Sequence, residues 1–494
     1  MGTVSLVGVE GRLIDVQAGL FINGDFVPAF HDATLDVENP TSGQILATVS
    51  ACQSEDVDRA VKAAKEAYSS WRRVAPSKRG ALLNRLADLV ERNAPDLASL
   101  QTLESGQLYR ESLGLHVTQA VETLRYYAGW ADKIDGSGLH LAGGMAYTRR
   151  EPIGVCAAIV PWNTLMIAFW KLAPAIAAGN VLILKTPETT PLWGQKLAEI
   201  VKESGFPPGV INILCGYGDV AGQALSEHMD VKKIAFTGSP PVGRRILATA
   251  ARTNLKRVSL ELGGKSPSIV FADADWDNAL FWTTLGITAS NGQVCVAGSR
   301  IYVEDTIYHR FLAEFSSRSR NTVVGDPFSP ETTKAAVASK AQLDKIVAYV
   351  EQGKHSGARL LHGGQRLVGD GYLVENTAFA DVDQGAEIMR EEIFGPLACI
   401  TSFRTEEEAV AKANDSAYGL SAAVFTNDLN KAFRVSEALE SGQVTVNSWG
   451  DVSANAPFGG TKESGFGRDM GKDALDDWTT CKTVKWHIAP ASTQ

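Results

Sequence analysis

Along the first fifty residues, apolar positions come in short β-rich runs, with an Asn23-Gly24 turn inside the stretch Gly19 to Pro28. From Ser54 to Ser112 the spacing becomes helical. Val57, Ala60 and Ala64 recur on one face behind a start signal at Ser54 and Asp58, and residues 81–93 continue the pattern. Both segments read as amphipathic packing helices without chemistry. From 153 the texture alternates: strands at 153–161, 180–185, 210–216 and 232–239 are separated by helices at 165–179 and 189–205, which close on Gly179 and Gly205. The second half repeats it, with a strand at 265–272, a helix at 275–290, a strand at 299–304, a helix at 305–320 and further pairs to about 446. Buried strands separated by helices of this length predict parallel βαβ units, with ligands at the carboxyl ends of the strands. The fold class is therefore α/β, two doubly wound Rossmann-like domains meeting near 261–265. Two pieces stand outside it: a hairpin at 140–151 and a terminal strand at 483–488, whose exposed edges invite pairing with another subunit.

Composition adds exclusions. A length of 494 residues exceeds one ordinary core, while 45% hydrophobic and 21% charged residues are those of a soluble globular protein. The net charge of −9 gives no footprint for nucleic acid. Cysteines at 52, 156, 215, 295, 399 and 481 form no C-x-x-C pair, which argues against a zinc cluster or a disulfide framework and for a reducing compartment. No metal is expected. The first ten residues lack a basic n-region, so no secretory signal is expected, and the cytoplasm is the expected location. The apolar tract 153–184 carries Asn163, Lys171, Asn180, Pro161 and Pro174, which a lipid-facing span rarely tolerates.

Candidate chemistry lies in four places. Two glycine turns follow predicted strands, Gly216-Tyr217-Gly218-Asp219-Val220-Ala221 and Thr237-Gly238-Ser239-Pro240-Pro241-Val242-Gly243, and either could set backbone N–H groups and a helix start against phosphate. Spacing alone does not choose between them. Cys295, in N-G-Q-V-C-V-A-G-S-R, is either a small buried hydrophobe or a nucleophile. Glu261, in L-E-L-G-G-K, is either a surface residue at a strand end or a carboxylate that burial would make a base near neutral pH.

Taken together, these motifs resemble the NAD(P)-dependent aldehyde dehydrogenase superfamily, in its hydrolytic branch. They run in family order over nearly the whole chain: P-W-N (161–163), L-K-T-P-E (184–188), F-T-G-S-x-x-x-G (236–243), L-E-L-G-G-K (260–265), G-Q-x-C-x-A-G-S-R (292–300), E-E-I-F-G-P (391–396) and P-F-G-G-x-K-x-S-G-x-G-R (457–468), with R-Y-Y-A-G-W-A-D-K at 125–133. The resemblance implies oxidation of an aldehyde to its acid. Cys295 would be the nucleophile, Asn163 and the Cys295 N–H the oxyanion donors, Glu261 the activator of the hydrolytic water, and Lys171 a further member of the catalytic set. It implies NAD as cofactor, with Lys185 and Glu188 on the adenosine ribose, Gly238 and Ser239 at the pyrophosphate, and Glu392 and Phe394 at the nicotinamide end. Ile159, Pro161, Trp162, Gly218, Phe236 and Leu262 complete that set. A carboxylate at Glu188 would repel a 2′-phosphate and favour NAD over NADP.

By the same resemblance the substrate channel is lined by Trp170, Leu285, Ala289, Val294, Val296, Val452 and Phe458, which suits a neutral aliphatic or aromatic aldehyde. The domains would be 1–130 with 152–262 for NAD, 263–465 for catalysis, and an oligomerisation arm of 131–151 with 478–494, in a homodimer or homotetramer. A coenzyme-A-acylating or semialdehyde-specific dehydrogenase is the alternative. The former generally lacks the base that Glu261 supplies here, and a thiol hydrolase has no need of a dinucleotide site. Two departures stand out: P-W-N-T-L is one residue shorter than the family's usual P-W-N-F-P-L, and Pro240-Pro241 stiffens the phosphate turn.

Overall fold

The computed structural model describes residues 2–142 and 144–487. Four predicted strands and a fifth, Arg257–Glu261, form the parallel centre of an eight-stranded sheet, in the order Arg257–Glu261, Lys233–Thr237, Val155–Ile159, Val181–Thr186, Ile211–Cys215. Val155–Ile159, Val181–Thr186 and Ile211–Cys215 are buried at every position. That is what a sheet covered on both faces requires, and it explains their unbroken apolar runs. The strand order reverses beside Val155–Ile159, so a crevice opens where the ends of this strand and Lys233–Thr237 diverge. The antiparallel pair Leu20–Ile22 and Asp25–Val27 extends one edge, and Gly465–Phe466 extends the other.

The second sheet has seven strands, in the order Arg359–His362, Thr377–Ala380, Leu397–Phe403, Arg300–Glu304, Pro267–Val270, Ser421–Phe425, Gln443–Val446. All but the edge strand Arg359–His362 run parallel. Alternate residues face two separate cores. Val270, Ile301, Val303, Ala423 and Phe425 pack on one side, and Ile269, Tyr302, Ala422 and Val424 on the other. The chain passes from the first sheet to the second over Leu262–Ser266, directly after Glu261.

The expected hairpin forms from Gly138–Leu141 and Gly144–Pro152, and Thr479–His487 pairs with it along nine residues. These pairings lie within one chain. The outer edges of Gly138–Leu141 and Thr479–His487 have no strand partner among the described residues. Residues 488–494 of the expected terminal strand and arm lie outside the described ones. Met470, Ala474, Leu475 and Trp478, in a stretch with no predicted element, join the core of the first sheet.

The first long helix corrects the expected start signal. It runs Ser54–Trp71, but Asp56, not Asp58, satisfies its start, accepting the Gln53 N–H at 2.9 Å. A carboxylate in the first turn is favoured by the helix dipole, and Asp56 is buried there beside Arg59 at 2.6 Å. Among the described residues no helix is long and apolar enough to cross a membrane, which agrees with the strand, helix, strand reading of 153–184.

Candidate active site

The crevice at the switch point is lined by Ile159, Pro161, Trp162, Lys185, Glu188, Gly218, Phe236, Gly238, Ser239, Arg245 and their neighbours, so both glycine turns face one cleft. Lys185 ends its strand buried, with Nζ donating 3.0 Å to the Thr186 carbonyl and lying 3.5 Å from Glu188. Glu188 lies four residues ahead of the helix that follows. The first N–H groups of Leu192–Ser204 go to the buried Glu104 carboxyl, at 2.7 Å from Leu192 and 3.0 Å from Trp193. Burial pushes Glu104 up to about 8 against those two bonds.

At the other turn, Thr237 ends its strand, Ser239 is the N-cap and Pro240–Arg252 is the helix. The two prolines at its start carry no N–H, so this helix offers an anion fewer backbone donors than its geometry suggests. The residues nonetheless fit a dinucleotide. A Cβ on Gly238 would run into the Phe236 ring, so only glycine leaves the cradle open, and Thr237 Oγ1 is buried there without a partner. A cation and a carboxylate, Lys185 and Glu188, flank the far end.

Pro161, Trp162, Thr237, Gly238 and Ser239 continue into an inner pocket, which adds Asn163, Leu262, Gly263, Cys295, Gln342, Lys345, Glu392 and Phe394. Glu392 Oε1 accepts the Gly264 N–H at 3.0 Å, and a side chain on Gly263 would strike that carboxylate. Phe394 sits at φ 59°, a conformation rare for a bulky residue. It is held by Gln342 Nε2 on its carbonyl at 2.7 Å and by the edge of Trp162, ring centroids 5.4 Å apart. Such local strain persists only where the surroundings fix it.

Cys295 is half-buried on this pocket, whereas Cys52, Cys156, Cys215 and Cys399 are buried. Burial, then the charges of Glu392 and Glu261, push its thiol up to about 12, while the N–H groups of Cys295 and Val296 face the sulfur and act the other way. The turn before it is tied down at three points. Ser290 Oγ donates 3.0 Å to Glu111, Asn291 Nδ2 donates to the Ala335 and Ala336 carbonyls at 2.9 and 3.0 Å, and Gln293 Oε1 accepts the Ala338 N–H at 3.0 Å.

Despite the shortened stretch after it, Asn163 reaches the same place. Its Nδ2 donates 3.0 Å to the Gln293 carbonyl, and its own carbonyl accepts Gln107 Nε2 at 2.7 Å. Glu261 ends its strand buried, with neither carboxyl oxygen hydrogen-bonded among the described residues. Burial, reinforced by Asp469, raises it well above the usual carboxylate range. Gly459 lets the chain pass: a Cβ there would come within 2.7 Å of Glu261 Oε1. Lys171 is not on a cleft wall. It is buried and paired with Asp469 at 2.8 Å, and the two bias Glu261 in opposite senses.

A second cleft opens from Asn163, Ile167 and Cys295, which belong to both cavities. All seven expected channel residues line it: Trp170, Leu285, Ala289, Val294, Val296, Val452 and Phe458. Sequence reasoning missed its polar members, Gln107, Glu111, His116, Ser290 and Asp451. Residues 107–112 fall in the stretch read as helical, and 113–116 carry no predicted element. In the structure a helix starts at Tyr109, passes through a π-helical segment at Ser112–Val117 and continues as Thr118–Trp130, and the wider segment changes which side chains face the cleft. A carboxyl in an amphipathic segment with no apolar frame around it was the only available signal.

Comparison with known proteins gives a consistent picture. The family model described as "Aldehyde dehydrogenase family" matches residues 26–484. The aldehyde dehydrogenase of Davidiella tassiana is 49% identical over 494 residues, covering 99% of each chain, and the mitochondrial aldehyde dehydrogenase of Homo sapiens is 47% identical, covering 94% of this chain and 91% of its own. Among solved structures, the NAD+ complex of the Bacillus cereus aldehyde dehydrogenase aligns with a TM-score of 0.94 at 40% identity, covering 96% of this chain and 97% of that one.

Proposed function

The chain belongs to the aldehyde dehydrogenase family, and from that premise we propose that it oxidises a neutral aliphatic or aromatic aldehyde to the carboxylic acid through a covalent adduct on Cys295. That it is an NAD-dependent enzyme acting on aldehydes follows from the family and the NAD+ complex of its structural relative. The single observation carrying the finer reading is that Cys295 and Asn163 lie where the dinucleotide crevice's inner pocket meets the substrate cleft.

In this reading the Cys295 thiol proton passes to solvent and Sγ bonds to the aldehyde carbon, whose C=O π pair moves to oxygen. The developing oxyanion is held by the second amide hydrogen of Asn163, the first being on Gln293, and by the Cys295 N–H. Fixed donors of this kind are worth about 3 kcal/mol each in the transition state. NAD, held in the crevice, would supply the hydride acceptor for oxidation of the adduct to a thioester. Glu261, once ionised, removes a proton from the water that cleaves the thioester and frees the thiol. A thiol suits both halves because it attacks well and leaves well. Lys171 and Asp469 set the field under Glu261 and make no contact with substrate in this scheme.

Lys185 and Glu188 hold the adenosine ribose, Gly238 and Ser239 the pyrophosphate, and Glu392 and Phe394 the nicotinamide end. Ile159, Pro161, Trp162, Gly218, Phe236 and Leu262 form the walls. Residues 1–130 and 152–262 constitute the NAD-binding domain and 263–465 the catalytic domain. The arm, 131–151 and 478–494, joins subunits of a homodimer or homotetramer through its free strand edges, in the cytoplasm.

The test is NADH formation with neutral aldehydes, with the product identified by mass spectrometry in the presence and absence of coenzyme A. The free acid formed at the same rate without coenzyme A supports the reading. An acyl-coenzyme A product, or an absolute need for the thiol, contradicts it.

A further inference from the structure

The substrate cleft is apolar along most of its length but carries a polar wall, none of whose side chains takes part in the proposed bond-making steps. Gln107, Glu111 and His116 come from one ten-residue stretch, and Ser290 from the turn ahead of Cys295. Glu111 is half-buried, and its Oε2 accepts the Ser290 hydroxyl at 3.0 Å. Gln107 and His116 are 2% and 4% exposed, and Gln107 Oε1 and His116 Nδ1 have no hydrogen-bond partner among the described residues. Buried polar atoms left in this state are rare in folded proteins, and several along one cleft mark a place where a ligand supplies the missing donor.

The charge of that ligand follows from what surrounds Glu111. The neighbouring guanidinium, Arg110, turns away to the Pro330 carbonyl at 2.9 Å, and Glu111 forms no ion pair among the described residues. Ser290, Gln107 and His116 are neutral dipoles, His116 because burial pushes its imidazole down to about 4. An ammonium group would have to shed its water for a single half-buried carboxyl, a costly exchange. A hydroxyl donates to the same carboxyl and accepts from its neighbours with far less desolvation.

We infer that Glu111, with Gln107, His116 and Ser290, is a specificity site that reads a hydroxyl at the far end of the aldehyde, so the favoured substrate is an uncharged aldehyde bearing a distal hydroxyl group. This rests on the proposed reaction at Cys295. The apolar residues of the cleft hold the carbon chain, and the Glu111 carboxyl accepts the hydrogen bond from the hydroxyl.

The experiment compares kcat/KM for three matched series of aldehydes of increasing length, ended by methyl, hydroxyl or ammonium, in the wild type, Glu111→Leu and Glu111→Gln. At one chain length the wild type prefers hydroxyl to methyl by about tenfold or more, the worth of one hydrogen bond to a carboxylate. Glu111→Leu loses that preference, read as the hydroxyl-to-methyl ratio within the variant whatever its absolute rate, and Glu111→Gln, which retains a carbonyl acceptor, keeps part of it. If Glu111→Leu does not fold, the wild-type ratio and Glu111→Gln decide. Equal hydroxyl and methyl ratios in all proteins overturn the hydroxyl site alone, as does an ammonium preference in the wild type. No turnover in any series overturns the reaction at Cys295 and the site with it.

Discussion

Gln107 donates a 2.7 Å hydrogen bond from its side-chain amide to the backbone carbonyl of Asn163, linking the substrate wall to the residue assigned to the oxyanion. Asn163 is gripped on its other side by the Gln293 carbonyl. The stretch after it is one residue shorter than the family's, and of these two bonds one fixes its backbone and the other its side chain, against the turn that leads to Cys295. Replacing Gln107 by Leu strands a buried carbonyl, worth about 1–3 kcal/mol. We predict a fall of about tenfold in kcat with a much smaller change in KM. In an Asn163→Ala background the same substitution has no further effect on kcat; a full additional loss there shows that Gln107 acts elsewhere.

Glu261 is raised first by burial and then by the negative charge of Asp469. As a base it works only when ionised. Hydrolysis of the thioester therefore rises with pH through a value above the ordinary carboxylate range and levels off beyond it. Pre-steady-state kinetics from pH 5 to pH 9 should show a burst of NADH followed by a pH-dependent steady rate. In Glu261→Gln the burst is retained and the pH-dependent limb of the steady rate is lost. An unchanged limb assigns the base to another group.

Lys171 and Asp469 form an ion pair with both partners buried. Removing one partner of such a pair leaves a buried charge and costs about 3–5 kcal/mol, whereas replacing both by apolar residues is often close to neutral. Denaturant unfolding should place Asp469→Ala below the wild type by about that amount, with Lys171→Met/Asp469→Leu recovering most of it. A double variant as unstable as the single one refutes this account of the pair.

Glu188 lies 3.5 Å from Lys185, at the end of the crevice that we assign to the adenosine. A carboxylate there disfavours a 2′-phosphate, so Glu188→Gln should improve kcat/KM for NADP by about tenfold relative to NAD. Kinetics with both cofactors check this, and an unaltered ratio removes Glu188 from the discrimination.

The alternating architecture was legible because parallel strands covered on both faces write unbroken apolar runs, as Val181–Thr186 does. The placement of Cys295 and Glu261 was legible only through motifs. Composition around Cys295 suited a packing thiol equally well, and only the geometry separates it from Cys156 or Cys399, which are sealed in sheet interiors. Two kinds of feature were not legible. Lys171 and Asp469 are 298 positions apart, and no local pattern records their pairing. The polar wall lies where the helix from Tyr109 to Trp130 passes through a π-helical segment at Ser112–Val117, and a reading by the ordinary helical period does not register such a shift. Trp478 and Met470 escaped for a similar reason. They stand in a stretch of turns after Gly465–Phe466, yet the chain folds back there onto the first sheet.

The central claim is that Cys295 carries the substrate, and the most direct measurement is the mass of the protein after a single turnover. Glu261→Gln, which still attacks but does not hydrolyse, is mixed with NAD and an aldehyde, quenched in acid and digested. The account predicts an acyl group on the peptide containing Cys295, accumulating with the burst of NADH and absent in Cys295→Ala/Glu261→Gln. NADH formation with an unmodified Cys295 peptide, or turnover by Cys295→Ala at the wild-type rate, contradicts it.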